Sequence, residues 1–329
     1  MSDADVSVAA SSLLDTPVTE VTPLPASYAN EAWRVATDAG ARYVVKIGPL
    51  GLESKWRSAH RALDLAASVG VPVAPLVLSA PCDGRLLRVF EWIEGRRPDP
   101  DALGEDGVRR LFTDLGNALR ALHGIEFDAF TSRLDGSAPS FAQWSDYLDY
   151  RLAAITARCR ATRVLDEDEL DRVCSAVRRL AAVVGDRARP TLCHRDLYAD
   201  NLLVDPTGRL VAILDFDTAE AWDQAGEFDK LDRLLIPGFS DSSSFPDSSN
   251  FPDSSNFPDS SDVPGGARYW FDAVYRERRP KPPLWDERVR LVALVEALNT
   301  LPNAFRADDW ASDYADDARR RRWALAEVA

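Results

Sequence analysis

Lysine is nearly absent from this 329-residue chain. Of 39 basic residues only Lys46, Lys55, Lys230 and Lys281 are lysine, and the other 35 are arginine. The bias reads as a genome preference, and it makes each well-placed lysine more informative. Cysteine is scarce as well. Cys82, Cys159, Cys174 and Cys193 are far apart and form no CxxC pair, which argues against a disulfide framework or a zinc site. Three histidines, one of them near the main motif, make a poor metal hydrolase. No run approaches the roughly 18 apolar residues that span a bilayer, so no membrane partner is expected. The N-terminal stretch MSDADVSVAASSLLD lacks the basic and apolar regions of a secretion signal, and the expected location is the cytoplasm. Positive charge is not in excess either: the net charge of −14 argues against a nucleic-acid partner. An acidic surface suits a cationic small molecule, and it also serves solubility alone.

What is present is an ordinary globular composition, 46% hydrophobic and 28% charged, on a chain long enough for two lobes. Short strand-like segments run over Val18–Leu24, Glu31–Thr37 and Arg42–Ile47, separated by the turn compositions PASYAN and DAGA. Glu53–Val69 reads as a helix stopped by Gly70 and Pro72, and further strands fit Ala74–Leu78 and Arg85–Trp92. The order β-β-β-α-β-β predicts a small sheet crossed by one helix. After a break at Glu94-Gly-Arg-Arg-Pro, helical spacing takes over: Leu111, Leu115, Leu119 and Leu122, then Phe141–Arg160 and Asp166–Val184. Short strands fit Thr191–Cys193, Asn201–Val204 and Leu210–Leu214, and helices return from about Ala267. The expected division is a sheet lobe over 1–95 and a helical lobe over 96–329. Within the second, 238–264 repeats a unit close to FPDSSN, with Phe239, Phe245, Phe251 and Phe257 at equal intervals. So few apolar groups cannot offset ordering entropy, so the segment reads as a disordered insertion, with a mobile lid over the substrate as the rival reading.

The chemistry concentrates in Thr191-Leu-Cys-His-Arg-Asp-Leu-Tyr-Ala-Asp-Asn201 and in the apolar strand Leu210–Leu214 that ends in Asp215-Phe-Asp217. A hairpin turning at Asp205-Pro-Thr-Gly208 brings Asn201 and Asp215 together, where they can face one metal. Mg²⁺ takes oxygen ligands, often one or two carboxylates completed by water and phosphate, and phosphoryl transfer is promoted by positioning and by cations near the phosphate oxygens. Asp196 can accept the proton of an attacking hydroxyl, while His194 braces the loop. Asp205 reads as a turn residue. Upstream, Tyr43-Val-Val-Lys-Ile47 is a strand carrying one lysine among apolar residues. A lysine there can hold phosphates as a point charge, whereas a lysine on a strand edge would merely face solvent. Leu86–Gly95 leads into the break between lobes; in a two-lobed kinase the backbone at Glu91 and Ile93 would meet an adenine edge, and an ordinary strand end is the alternative.

Together the HRDLYADN and LDFD motifs resemble the aminoglycoside phosphotransferase and choline kinase superfamily, small-molecule kinases that share the protein-kinase fold. The resemblance covers roughly Val18 to Leu231. It implies an α+β bilobal protein-kinase-like fold with a small antiparallel sheet lobe and a larger helical lobe. It also implies Mg²⁺ and ATP or GTP, with Lys46 on the nucleotide phosphates, Asp196 as base, and Asn201 with Asp215 on the metal. Pro25–Asn30, with Ser27 within it, would form the loop over the nucleotide, and Asp229 would support the catalytic loop. Tyr198, two residues after Asp196, replaces the lysine usual in serine/threonine protein kinases, and Asp-Phe-Asp replaces Asp-Phe-Gly. Both favour a small-molecule acceptor. The helix glutamate that usually pairs with the strand lysine is missing. Its place falls within Ala59–Arg61, where His60 stands; Glu53, two turns earlier on the same face, is the substitute, or the ion pair is absent.

The acceptor is less legible. Asp308, Asp309, Asp313, Asp316 and Asp317 could bind amines of a cationic acceptor, or simply serve helix ends and pairs with Arg320 and Arg321. An aminoglycoside or other antibiotic hydroxyl is the first expectation, with an amino alcohol or sugar metabolite beside it, and the enzyme is expected to be a monomer or homodimer. A nucleotide-binding pseudokinase acting as a regulator is the rival from another class.

Overall fold

A computed structural model of the chain describes residues 2–24, 31–239, 266–277 and 281–304. The expected loop with Ser27, the FPDSSN repeats beyond Phe239, and the acidic and basic C-terminal residues lie outside the described residues.

Helix α1 (Asp3–Leu14) precedes strands β1 (Val18–Pro23), β2 (Glu31–Thr37) and β3 (Arg42–Pro49). Then follow helix α2 (Glu53–Ser68) and strands β4 (Leu76–Cys82) and β5 (Arg85–Glu91). The strands form one antiparallel sheet in the order β1-β2-β3-β5-β4. Side chains alternate across a pleated strand, and this decides what each face does. Val45 opposite Val89, with Ile47 opposite Leu87, points to one face. There they bury Val6, Ala9 and Ala10 of α1 together with Trp33 and Val35. Lys46 opposite Arg88, and Val44 opposite Phe90, must then point to the other face, toward α2 and the rest of the chain. Helix α1 is opened by a capping box in which Ser2 and Asp5 satisfy each other's free backbone donors.

The remaining elements are mainly helical: α3 (Pro100–Leu122), α4 (Trp144–Thr162), α5 (Glu167–Val184), α7 (Ala267–Tyr275) and α8 (Trp285–Ala304). Between them lie strands β6 (Phe130–Thr131), β7 (Ser140–Phe141), β8 (Pro190–Cys193), β9 (Leu202–Val204), β10 (Leu210–Ile213) and β11 (Glu220–Asp223), and the short helix α6 (Gly226–Lys230). Helix α3 buries Leu111, Phe112, Leu115, Leu119 and Leu122, the spacing of one helical face. It runs so close to α7 that a Cβ at Gly116 would lie 2.7 Å from the Phe271 carbonyl oxygen. The start of α5 is fixed by a second capping box: Glu169 N–H donates to Asp166 at 2.7 Å and Asp166 N–H to Glu169 at 3.1 Å. A hydrophobic core shared by α2 to α8 and the short strands joins the sheet to the helices. The fold is α+β and kinase-like, as the motifs implied.

Candidate active site

Strand β8 delivers the chain into a loop, and the loop ends on the hairpin β9–β10 (Ile213 beside Leu202, Leu210 beside Val204). Past the last rung, Leu214 N–H donates to the Asn201 carbonyl at 2.8 Å. This one backbone bond places Asn201 beside Asp215. Asp205 turns the hairpin, accepting from the Thr207 and Arg209 amides at 2.8 and 3.1 Å, as a turn aspartate does.

The loop itself is held from several sides. His194 is fully buried; its Nδ1 accepts from the Asp196 N–H at 3.2 Å and its Nε2 lies 2.8 Å from the Leu214 carbonyl. Nε2–H is therefore the donor, and the ring bridges the loop and the end of β10. Burial pushes His194 below its ordinary pKa despite Asp196 nearby, which suits the neutral tautomer. Arg195 adopts a left-handed φ of 65°, uncommon for a residue with a long side chain. Its guanidinium lies 4.1 Å over the Trp222 ring and pairs with Glu220 at 2.6 Å and with Glu296, while its backbone N–H donates to Glu227. Glu220 accepts in addition from Arg151 at 2.7 Å and Tyr147 at 3.0 Å. Burial alone would raise Glu220, but Arg151 and Arg195 hold its carboxyl below the ordinary value.

Asp196 emerges from this frame. Asn201 Nδ2 donates to its carbonyl at 2.8 Å and lies 3.3 Å from its carboxylate, and Lys230 at the end of α6 pairs with the same carboxylate. Across the cleft, Lys46 Nζ stands 3.5 Å from Asp215 Oδ1. Asp196, Asn201, Asp215 and Lys46 are thus gathered around one cleft. Asp215 sits in the left-handed region (φ 61°), which aspartate tolerates better than most residues.

Other anticipated residues fall elsewhere. Glu53 does not reach Lys46: it is exposed and pairs with Arg57 at 2.8 Å, one turn along α2. His60 is partly buried on α2, pushed below its ordinary pKa by desolvation and by Arg88. The missing glutamate is not replaced on the helix. Instead Asp215 faces Lys46, and a second pair forms beside it. Arg88, 1% exposed, donates twice to Asp217 at 2.6 and 2.9 Å with its guanidinium 3.9 Å over the Trp56 ring. Burial alone would raise Asp217, but Arg88 holds its carboxyl below the ordinary value. One arginine therefore ties β5, the α2 helix and the loop at Asp215–Asp217 together. The sequence carried a signal for it: Leu86-Leu-Arg-Val-Phe90 sets a basic residue among apolar ones as Tyr43-Val-Val-Lys-Ile47 does. Support of the Arg195 amide falls to Glu227, two residues before the expected Asp229, which pairs with Arg233 at 3.4 Å. Glu91 ends β5, its N–H donating to the Pro75 carbonyl at 2.9 Å. Ile93 follows at the exit from the sheet, and its N–H takes no backbone bond among the described residues.

A lysine strand facing a carboxylate hairpin, between a five-stranded sheet and a helical part, is the kinase-like arrangement. The model of the phosphotransferase enzyme family (APH) matches residues 20–225, more than half of the chain, and the protein belongs to that family. Similar solved structures agree on the fold. Aminoglycoside phosphotransferase APH(4)-Ia matches with a TM-score of 0.68 at 15% identity, covering 100% of this chain and 99% of that one. A variant of it in ternary complex with ADP and hygromycin B matches at 0.67 and 15%, covering 99% of both chains. A candidate fructosamine-3-kinase from Thermobifida fusca YX-ER1 matches at 0.64 and 18%, covering 98% of both. The chain is a small-molecule phosphotransferase. No helix among the described residues is long and apolar enough to cross a membrane.

Proposed function

We propose that the chain transfers the γ-phosphoryl group of ATP or GTP to a hydroxyl of a soluble, cationic small molecule, with an aminoglycoside as the first candidate. The observation that carries this reading is the meeting of Asp196, Asn201, Asp215 and Lys46 at one cleft, with the loop bearing Asp196 braced from behind.

The donor set fits Mg²⁺. Among the described residues Asp215 Oδ1 is buried with no hydrogen-bond partner, the Lys46 ammonium lying 3.5 Å away, and the Asn201 amide nitrogen is committed to Asp196, leaving its oxygen as the ligand atom. Bound there, the ion would neutralise phosphate charge. The residues of the chain do the rest. Lys46 holds donor phosphates as a point charge. Asp196 orients the acceptor hydroxyl and takes its proton. The Glu91–Ile93 backbone meets the base, and residues 1–95 form the nucleotide-binding part. Residues 96–329 supply the loop, the metal ligands and the acceptor site.

The aminoglycoside reading draws on the net charge of −14 and on the likeness to APH(4)-Ia bound to hygromycin B. A sugar-derived or amino-alcohol metabolite is the second reading, favoured by the likeness to a candidate fructosamine-3-kinase. The presence of Asp196, Asn201, Asp215 and Lys46 argues against a pseudokinase. The test is transfer from labelled ATP and GTP with Mg²⁺ to aminoglycosides, other hydroxylated antibiotics, sugars, glycated amines and choline-like amines, with Asp196→Ala beside it. Transfer to one class, lost in the variant, establishes the reaction. A protein that binds neither nucleotide sinks the kinase reading.

A further inference from the structure

Between Asp196 and Asn201 the loop reads Leu-Tyr-Ala-Asp, with no basic residue. The cation reaches Asp196 from outside the loop. Lys230, the last residue of α6, pairs with the Asp196 carboxylate, and its ammonium lies 5.9 Å from the centre of the Tyr198 ring. Its side chain is 22% exposed, and that of Asp196 21%, so the pair is open to the cleft rather than sealed in the core. In a chain that uses arginine at 35 of 39 basic positions, two of the four lysines face the two site carboxylates: Lys46 faces Asp215 and Lys230 faces Asp196. An ammonium is compact and turns three donors freely, where a guanidinium would lock onto a carboxylate in a planar fork.

We propose that Lys230 is a second phosphoryl-contacting cation, bridging Asp196 and the transferring group. The proposal rests on the kinase reading above. During transfer the acceptor oxygen bonds to the γ-phosphorus as the bond to the β,γ-bridging oxygen breaks. The electron pair leaves on the nucleoside diphosphate, and the hydroxyl proton passes to Asp196. At that moment the Asp196 carboxylate and the phosphoryl oxygens crowd negative charge into one place. Two carboxylate oxygens carry about four acceptor sites, so Asp196 can hold Lys230 and still receive the hydroxyl. The ammonium relieves the repulsion where it arises, as fixed cations do in phosphoryl transfer. Tyr198, where a protein kinase has its loop lysine, forms part of the wall beside this ammonium.

The test uses the full chain and Mg-ATP with water as acceptor, so it does not await the natural substrate. Lys230→Met is expected to lower kcat at least tenfold, a typical scale for one electrostatic donor, with KM for ATP changed less than about twofold and the melting temperature kept. Lys230→Cys should be equally slow and regain turnover after alkylation with 2-bromoethylamine, which rebuilds an ammonium; wild type treated in parallel corrects for Cys82. Full turnover by Lys230→Met overturns the proposal and leaves the kinase reading intact. So does a loss that alkylation does not restore, which marks Lys230 as a mere tie between α6 and the loop. If wild type neither binds nor hydrolyses ATP, the kinase reading itself falls and takes the proposal with it.

Discussion

The two walls of the cleft are held in different ways. On the sheet side, Lys46 and Arg88 stand opposite each other on β3 and β5 and reach down to two acids of one loop, Asp215 and Asp217. Lys46 makes one ion pair, and Arg88 adds the Trp56 face to its pair with Asp217; both join parts of the chain far apart in sequence. On the helical side, the Asp196 loop is fixed by many partners: His194 to Leu214, Arg195 to Glu220, Glu296, Glu227 and Trp222, and Glu220 in turn to Arg151 and Tyr147. A wall made of a few pairs can reset when ligand enters; a wall made of a network cannot move one member without unsatisfying several. The Asp196 loop is thus set rigidly, and adjustment belongs to the sheet side.

Breaking either wall tests this. Asp196→Ala should lower kcat by about 10²–10⁴, the usual share of a general base, while nucleotide affinity measured by calorimetry stays near wild type; a large loss of affinity would mean that Asp196 serves binding instead. On the sheet side, Arg88→Met strands Asp217 in the core. A broken buried pair costs about 3–5 kcal/mol, readable as a shifted urea midpoint. The double variant Arg88→Met/Asp217→Leu should recover much of it, and no recovery would show that Trp56 stacking, not the ion pair, matters.

The network has one unbalanced member. Burial pushes Glu227 up to about 7 from an ordinary value of 4.5, against the pull of the Arg195 amide. Between those values the unfolded chain releases the proton and the folded chain keeps it, so stability falls as pH rises through this window. Glu227→Gln still accepts from the Arg195 N–H and has no proton to lose. Its melting temperature should match wild type near pH 4.5 and exceed it at pH 8, by at most about 3 kcal/mol in stability. A gain independent of pH would contradict that assignment. The smallest effect is expected at Glu53, an exposed partner of Arg57. Glu53→Gln should change stability by less than about 0.5 kcal/mol and leave ATP affinity alone; tenfold weaker ATP would restore Glu53 as the partner of Lys46.

Much of the sheet lobe was legible because short strand-like runs lie between clear turn compositions, and the hairpin carrying Asn201 and Asp215 because short apolar runs flank Asp205-Pro-Thr-Gly208. Strand β11 escaped because Glu220-Ala-Trp-Asp223 places acids where a strand signal needs apolar residues. Those acids are buried only because Arg195, Arg151 and Arg288 reach them; Arg288 pairs with Asp223 at 2.5 Å from α8. The partners of Lys46 and Asp196 were illegible for a related reason. Spacing along one helix proposes neighbours such as Glu53, but Asp215 is brought to Lys46, and Lys230 to Asp196, by packing alone.

The Leu214 amide to Asn201 carbonyl bond has a consequence for how this site can change. It makes the spacing of residues 201 and 215 a property of the main chain rather than of either side chain. Exchanging the side chain at 201 or 215 leaves that spacing in place. A proline at 214, which removes the donor, is expected to widen it while Asn201 and Asp215 remain in the sequence. A motif search would still find every letter of the site in such a protein, and the two residues would no longer be held side by side.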